Sequence, residues 1–142
     1  MLGCLSATAA SATIAHVKTI AINSTKASAG TSIAVTVPAA GVAAGNSIIL
    51  TFAMDEEVGT VSATDSKGNI YTADASVAAN GVRTVILAAH NVLALTSGNT
   101  ITVTHPSVTA RALAANEFSG ILTPSPLDRT KTAVGTGTVP SS

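Results

Sequence analysis

Carboxylates are the residues of this chain with the clearest chemical potential. Asp55, Glu56 and Glu57 are consecutive, and Asp65 follows in the next turn-forming segment. Ca²⁺ takes several oxygen ligands, mostly carboxylates and carbonyls. If adjacent loops brought these four side chains together they would form a calcium site, and calcium is the one cofactor the sequence offers. The plainer reading is a solvated loop whose charges keep a strand edge from pairing with other chains. Asp65-Ser66-Lys67-Gly68-Asn69 opens like an EF-hand loop but has neither its closing acid nor flanking helices.

The other reactive side chains are dispersed. His16, His90 and His105 show no metal-ligand spacing, and each is expected at a surface or interface. Serines are plentiful enough to draw a Ser/His/Asp triad on paper, yet none sits in a Gly-x-Ser-x-Gly elbow. Gly135-Thr136-Gly137 lacks the strand–helix setting of a phosphate loop. Cys4 is the sole cysteine, so no disulfide closes within the chain. No catalytic residue is assigned, and the chain reads as a non-enzyme.

The elements that would position these residues are strands. Large apolar residues alternate with Thr, Ser or Ala in short runs separated by turn-forming residues, giving each run one dry and one wet face. The expected strands are Thr13–Ile22, Thr31–Val37, Ser47–Met54, Thr60–Thr64, Ile70–Val77, Val82–Ala89 and Thr100–His105. Ser47–Met54 is the most apolar and is placed centrally. Pro38 and Pro106 are expected to end the strands before them, because proline cannot donate to a ladder. Asn80-Gly81 is the strongest two-residue hairpin signal, and Asp65–Asn69 reads as a hairpin loop. Ala110–Phe118 has helix-favouring Ala, Leu and Glu but follows a series of strands; strand is preferred and helix stays open. The expected core is Ile33, Val35, Val37, Ile48, Leu50, Phe52, Val61, Tyr71, Val85, Leu87, Ile101, Val103 and Phe118. Arg111 and Glu117 are read as charges on a strand's outer face, with an ion pair between them or to Asp74 left open.

Composition bounds the function. The 142 residues suit one domain, with an arm at 1–12, a sandwich at 13–120 and a Pro/Gly/Thr-rich extension at 121–142. Acids and bases balance at seven each, and aromatics are only 2%, so neither a basic patch nor stacking rings offer themselves to nucleic acid. No run approaches the roughly 20 apolar residues of a membrane span. Leu2-Gly3-Cys4 faintly resembles the end of a lipoprotein signal and Ala7–Ala12 a cleavage site, but the charged and apolar regions that precede such sites are missing. The expectation is that an export signal lies outside this sequence or that the protein leaves the cell as virion proteins do. A low-charge surface of hydroxyls and methyls resists self-association weakly.

From Ile33 to about Thr138 the chain resembles a module of repetitive bacterial surface proteins and some phage structural proteins. The stretches that carry the resemblance are Gly45–Leu50, Val61–Tyr71, Thr100–Thr104, Ala110–Leu113, Glu117–Gly120 and Ser125–Asp128. The resemblance implies an immunoglobulin-like β-sandwich serving as a spacer or adhesive module, with no catalytic residues to transfer. Such modules continue into further strands after a segment like Ala133–Thr138, whereas this sequence stops at Ser142. A sandwich short of strands would offer an open edge to another chain.

The sequence therefore predicts an all-β, immunoglobulin-like antiparallel sandwich of about seven strands with extended terminal arms. Its expected role is a self-assembling extracellular, cell-surface or virion subunit, with arm 1–12 or 121–142 exchanged between copies. The alternative is an adhesin whose loops hold a glycan or host receptor.

Overall fold

The computed structural model describes residues 13–123 and 126–135. The chain forms the all-β, two-layer antiparallel sandwich that the sequence predicts, with eight strands where about seven are expected. They are β1 (Ala15–Thr25), β2 (Gly30–Thr36), β3 (Ser47–Asp55), β4 (Ser62–Asp65), β5 (Thr72–Ala79), β6 (Val82–Ala89), β7 (Thr100–Val108) and β8 (Arg111–Ser119). The segment left open between helix and strand is β8: in its register, Leu113 and Ala115 bury inward beside β3, so the apolar alternation outweighs helix propensity. The arm at 1–12 and residues 136–142 lie outside the described residues.

One sheet has the order β1-β8-β3-β6-β5 and the other β2-β7-β4. The pairs β1·β8, β2·β7 and β3·β6 nest inside one another, the double Greek-key order of a jelly roll. β4 and β5, the innermost pair of that nest, are not hydrogen-bonded to each other. Asp65–Asn69 is therefore a crossover between sheets, not the hairpin its turn residues imply. Its turn chemistry is local: Asp65 Oδ1 accepts from the Lys67 and Asn69 amides, and Gly68 takes φ +76°. Such a turn closes on itself without specifying where the next strand pairs. Asn80-Gly81 does make the expected hairpin, with φ +55° and +82°, the positive pair of a type I′ turn.

Between the sheets, Ile48, Leu50, Phe52 and Met54 of β3 meet Ile33 and Val35 of β2 and Ile101 and Val103 of β7 in one core. Leu50 stands opposite Leu87 and Ala115, and Phe52 opposite Val85 and Leu113. Each such aliphatic stabilises the fold by roughly 1.5–3 kcal/mol on burial. Val42 and Leu95, joined by two backbone hydrogen bonds of 2.8 and 3.1 Å, close one end.

Three expectations about the interior are corrected. Phe118 faces outward, because β8 turns Leu113, Ala115 and Glu117 inward and Phe118 takes the opposite parity, while Tyr71 packs half-buried against the core as expected. His105, expected at a surface or interface, is 3% exposed and stacks on Phe52 with ring centroids 5.2 Å apart. Pro106 does not end its strand. β7 continues to Val108 through an irregular stretch opposite Gly30–Ser32, where a missing amide is tolerated.

Candidate functional site

The four carboxylates of the candidate calcium site are not brought together. Asp55 ends β3 beside the β7–β8 turn, where its Oδ2 accepts the Thr109 and Ala110 amides at 3.1 and 2.8 Å. Asp65 pairs with Ile101 at the other end of β7, about 23 Å away along the strand. All of its ligand capacity is directed to protein donors: besides the two turn amides, Oδ2 accepts from Asn69 Nδ2 and the Tyr71 hydroxyl. Burial, then the neighbouring Asp65 charge and hydrogen bond, push the Tyr71 phenol far above its ordinary range. Glu56 caps the Gly81 amide at 2.9 Å, and Glu57 contributes its backbone carbonyl to Arg83. Among the described residues no three His, Cys, Asp or Glu side chains are grouped to hold a metal ion.

The histidines have structural surroundings. His16 is exposed and meets Phe118 edge-on at 5.2 Å. His90 Nδ1 lies 2.8 Å from Ser47 Oγ, a contact that joins the start of β3 to the end of β6. A nucleophile needs an oriented base and access to substrate. Ser47 is 2% exposed, and no carboxylate among the described residues hydrogen-bonds to His90. His105 Nδ1–H donates to the Pro106 carbonyl at 2.7 Å, while its buried Nε2 has no hydrogen-bond partner among the described residues.

Glu117 is the polar residue that sequence reading misplaces. It points inward and is fully buried. Its Oε1 accepts the Ala43 amide at 2.8 Å and Asn46 Nδ2 at 2.7 Å, and its Oε2 is met by the Lys18 ammonium at 2.9 Å. Burial pushes the carboxyl up, but the hydrogen bonds from Lys18, Ala43 and Asn46, with the Lys18 charge, more than offset it and hold the group below its ordinary range. The pair ties β1, β8 and the β2–β3 connection together. The strict alternation Leu113, Ala115, Glu117 was the available signal. Arg111 pairs with neither Glu117 nor Asp74; its guanidinium donates to the carbonyls of Ser28, Ser32, Val108 and Thr109, pinning the β1–β2 loop.

What remains unpartnered is a surface. The outer face of the five-stranded sheet carries a patch of small, uncharged residues around Ala53, Ala112 and Ala114, with Ile49 and Ile86 toward one end and a cavity lined by Lys26, Asp55 and Arg111 adjoining it at the other. At one end, the extended segment after β8 lies over it: Ile121, Pro126 and Leu127 line a cavity of about 340 Å³ with Ile49 and Ile86, and outward-facing Ala88 is 3% exposed. At the other end no described residue covers the face. A groove of about 760 Å³ runs along β8 and β3, floored by Thr51, Ala53, Ala112 and Ala114 and walled by Ile22 and Thr84. Ile22 is 73% exposed at its rim. A second exposed feature lies at the loop end of the sandwich. Asn69 exchanges side-chain hydrogen bonds with the Leu93 amide and carbonyl at 2.7 and 3.2 Å, holding Ile70 (82% exposed) beside Leu93 (61% exposed). No helix of the described residues is long and apolar enough to cross a membrane.

Comparison of the chain with family models, with curated proteins and with solved structures gives no match.

Proposed function

We propose that this protein is a structural subunit that assembles with copies of itself in an extracellular filament, surface layer or virion exterior, with terminal segments bridging neighbours. The observation that carries the reading is the outer face of the five-stranded sheet, partly overlaid by the extended segment after β8 and, among the described residues, uncovered over a small-residue groove along β8 and β3. Open apolar surface rimmed by polar residues is suited to a contact, here a small one. The balanced charge supports close approach of like molecules, since no net repulsion opposes it. Jelly rolls recur in viral capsid and lectin domains, which agrees with the reading at the level of fold analogy only. The resemblance of Val61–Tyr71 and its companion stretches to bacterial surface and phage structural modules points the same way.

Negative-stain electron microscopy of the purified chain tests the proposal: ordered filaments, sheets or shells are expected, and a field of isolated particles at every concentration would count against it. A second reading, an adhesin-type binding module, draws on Ile70 and Leu93, two apolar tips held rigid on loops at one end. Capture of a cell-surface receptor or glycan that Ile70→Asp abolishes would favour it.

A further inference from the structure

We infer that the bare groove along β8 and β3 receives the C-terminal segment of a second copy, the stretch that begins at Thr132. The inference rests on the self-assembly reading and locates its contact on a sheet face instead of a sheet edge.

The edges are poorly suited to strand addition. β1 carries register shifts at His16/Lys18 and Thr19/Ala21, β5 carries one at Ala73/Ala75, β4 is only four residues long, and β2 carries a shift at Gly30/Ser32 with its Ser32 and Ala34 carbonyls already accepting from Arg111 and Asn23. Bulges and short edges are the devices that blunt edge pairing. The outer face has the opposite character. Its floor residues Ala53, Ala112 and Ala114 leave room for a second backbone to approach, and Ile22 and Thr84 flank it without charge.

Size selects the occupant. The groove spans Thr51 to Ala53, about 7 Å along β3, and about 14 Å from β1 to β6, roughly 100 Å² in plan. A stable subunit face needs about 800 Å² per partner, so this groove fits one extended segment. The chain's own extended segment already runs along this face, because Pro126 and Leu127 line one cavity with Ile49 and Ile86 at the covered end. That segment lines its cavity with Asp74 and Ala75 of β5, the strand farthest from the groove on that side. Thr132–Gly135 are exposed and make no hydrogen bond to the sheet, including the groove residues. From Thr132 to Ser142 it spans about 35 Å when extended, more than the groove requires. Its residues are chemically matched: Thr, Ala, Gly and Val dominate, and none is charged.

The test compares the mass, by light scattering over a concentration series, of the full chain, a chain ended after Lys131, Ala112→Arg and the control Thr72→Arg, with folding checked by circular dichroism. A synthetic peptide of residues 132–142 is titrated into the shortened chain and its Ala112→Arg form. The full chain and Thr72→Arg are expected to associate. The shortened chain and Ala112→Arg should associate at least tenfold more weakly, and the peptide should bind only the shortened chain with its groove open. Association that survives either change would overturn the inference while leaving self-assembly standing. Peptide binding with a strictly monomeric full chain would show the segment closing over its own groove, which also overturns it. A monomeric full chain with no peptide binding would remove both readings.

Discussion

Lys18→Met isolates the one buried carboxylate among the described residues. Glu117 is fully buried, and the Lys18 ammonium 2.9 Å from Oε2 is the only group that neutralises it. Breaking a buried ion pair by removing one member costs about 3–5 kcal/mol, because the remaining charge is left uncompensated. Two features reduce that figure here. Lys18 is 26% exposed, so water screens part of the interaction, and Ala43 N–H and Asn46 Nδ2 still donate to Oε1. We expect a loss of about 2–3 kcal/mol at neutral pH, which for a chain of this size lowers Tm by roughly 6–12 °C. The sign of the pH dependence follows from the lowered carboxyl. A group whose folded pKa is depressed contributes stability above its unfolded value and loses it as pH falls through the folded value. The gap between wild type and Lys18→Met should therefore be full at neutral pH and close as the solution is acidified past the ordinary carboxylate range. Calorimetric scans of both proteins across that range measure it. A gap that stays constant with pH would show that Lys18 acts by packing, and a gap below about 0.5 kcal/mol would place the pair among ordinary surface ion pairs.

Three further perturbations follow from the structure. Phe52→Ala should cost about 3–5 kcal/mol in urea unfolding, since Phe52 is fully buried beneath His105, whereas Phe118→Ala on the outer face should cost about 1 kcal/mol; equal losses would contradict the parity of β8. Gly81→Ala, with open space around the added carbon, should cost about 1–2 kcal/mol from its positive φ alone, while Gly120→Ala should cost more because its Cβ would collide with the Thr13 carbonyl, and thermal melts rank the two. Tyr71, raised by burial and Asp65, stabilises the fold below the ordinary phenol pKa of about 10 and ceases to do so as pH rises through its folded value; alkaline titration followed by phenolate absorbance should show ionisation only with unfolding, and Tyr71→Phe should lose that alkaline decline.

The fold was legible where local pattern and tertiary demand coincide. Ile48, Leu50, Phe52 and Met54 alternate in the sequence because β3 lies at the centre of its sheet, with one face toward the core. Asn80-Gly81 specifies a hairpin because positive φ at both positions permits little else. Asp65–Asn69 misleads because an Asp-capped turn satisfies its own amides wherever the chain goes next. Glu117 misleads because composition places a carboxylate in water, and only the Lys18, Ala43 and Asn46 partners, all distant in sequence, make its burial tolerable. The outer-face groove was invisible for the same reason. Ile22, Thr51, Thr84 and Ala112 become neighbours only through the nested strand order, and each alone is an ordinary surface residue. The residues with conspicuous chemistry, by contrast, serve as turn caps and cross-links between strands.

Self-association is the claim on which the functional account depends, and sedimentation equilibrium of the full chain measures it directly. The contact proposed is apolar and uncharged, so the weight-average mass should rise with concentration, rise further in a kosmotropic salt such as sulfate, and change little between low and moderate sodium chloride. A single monomer mass, unmoved by concentration or by sulfate, would contradict the account.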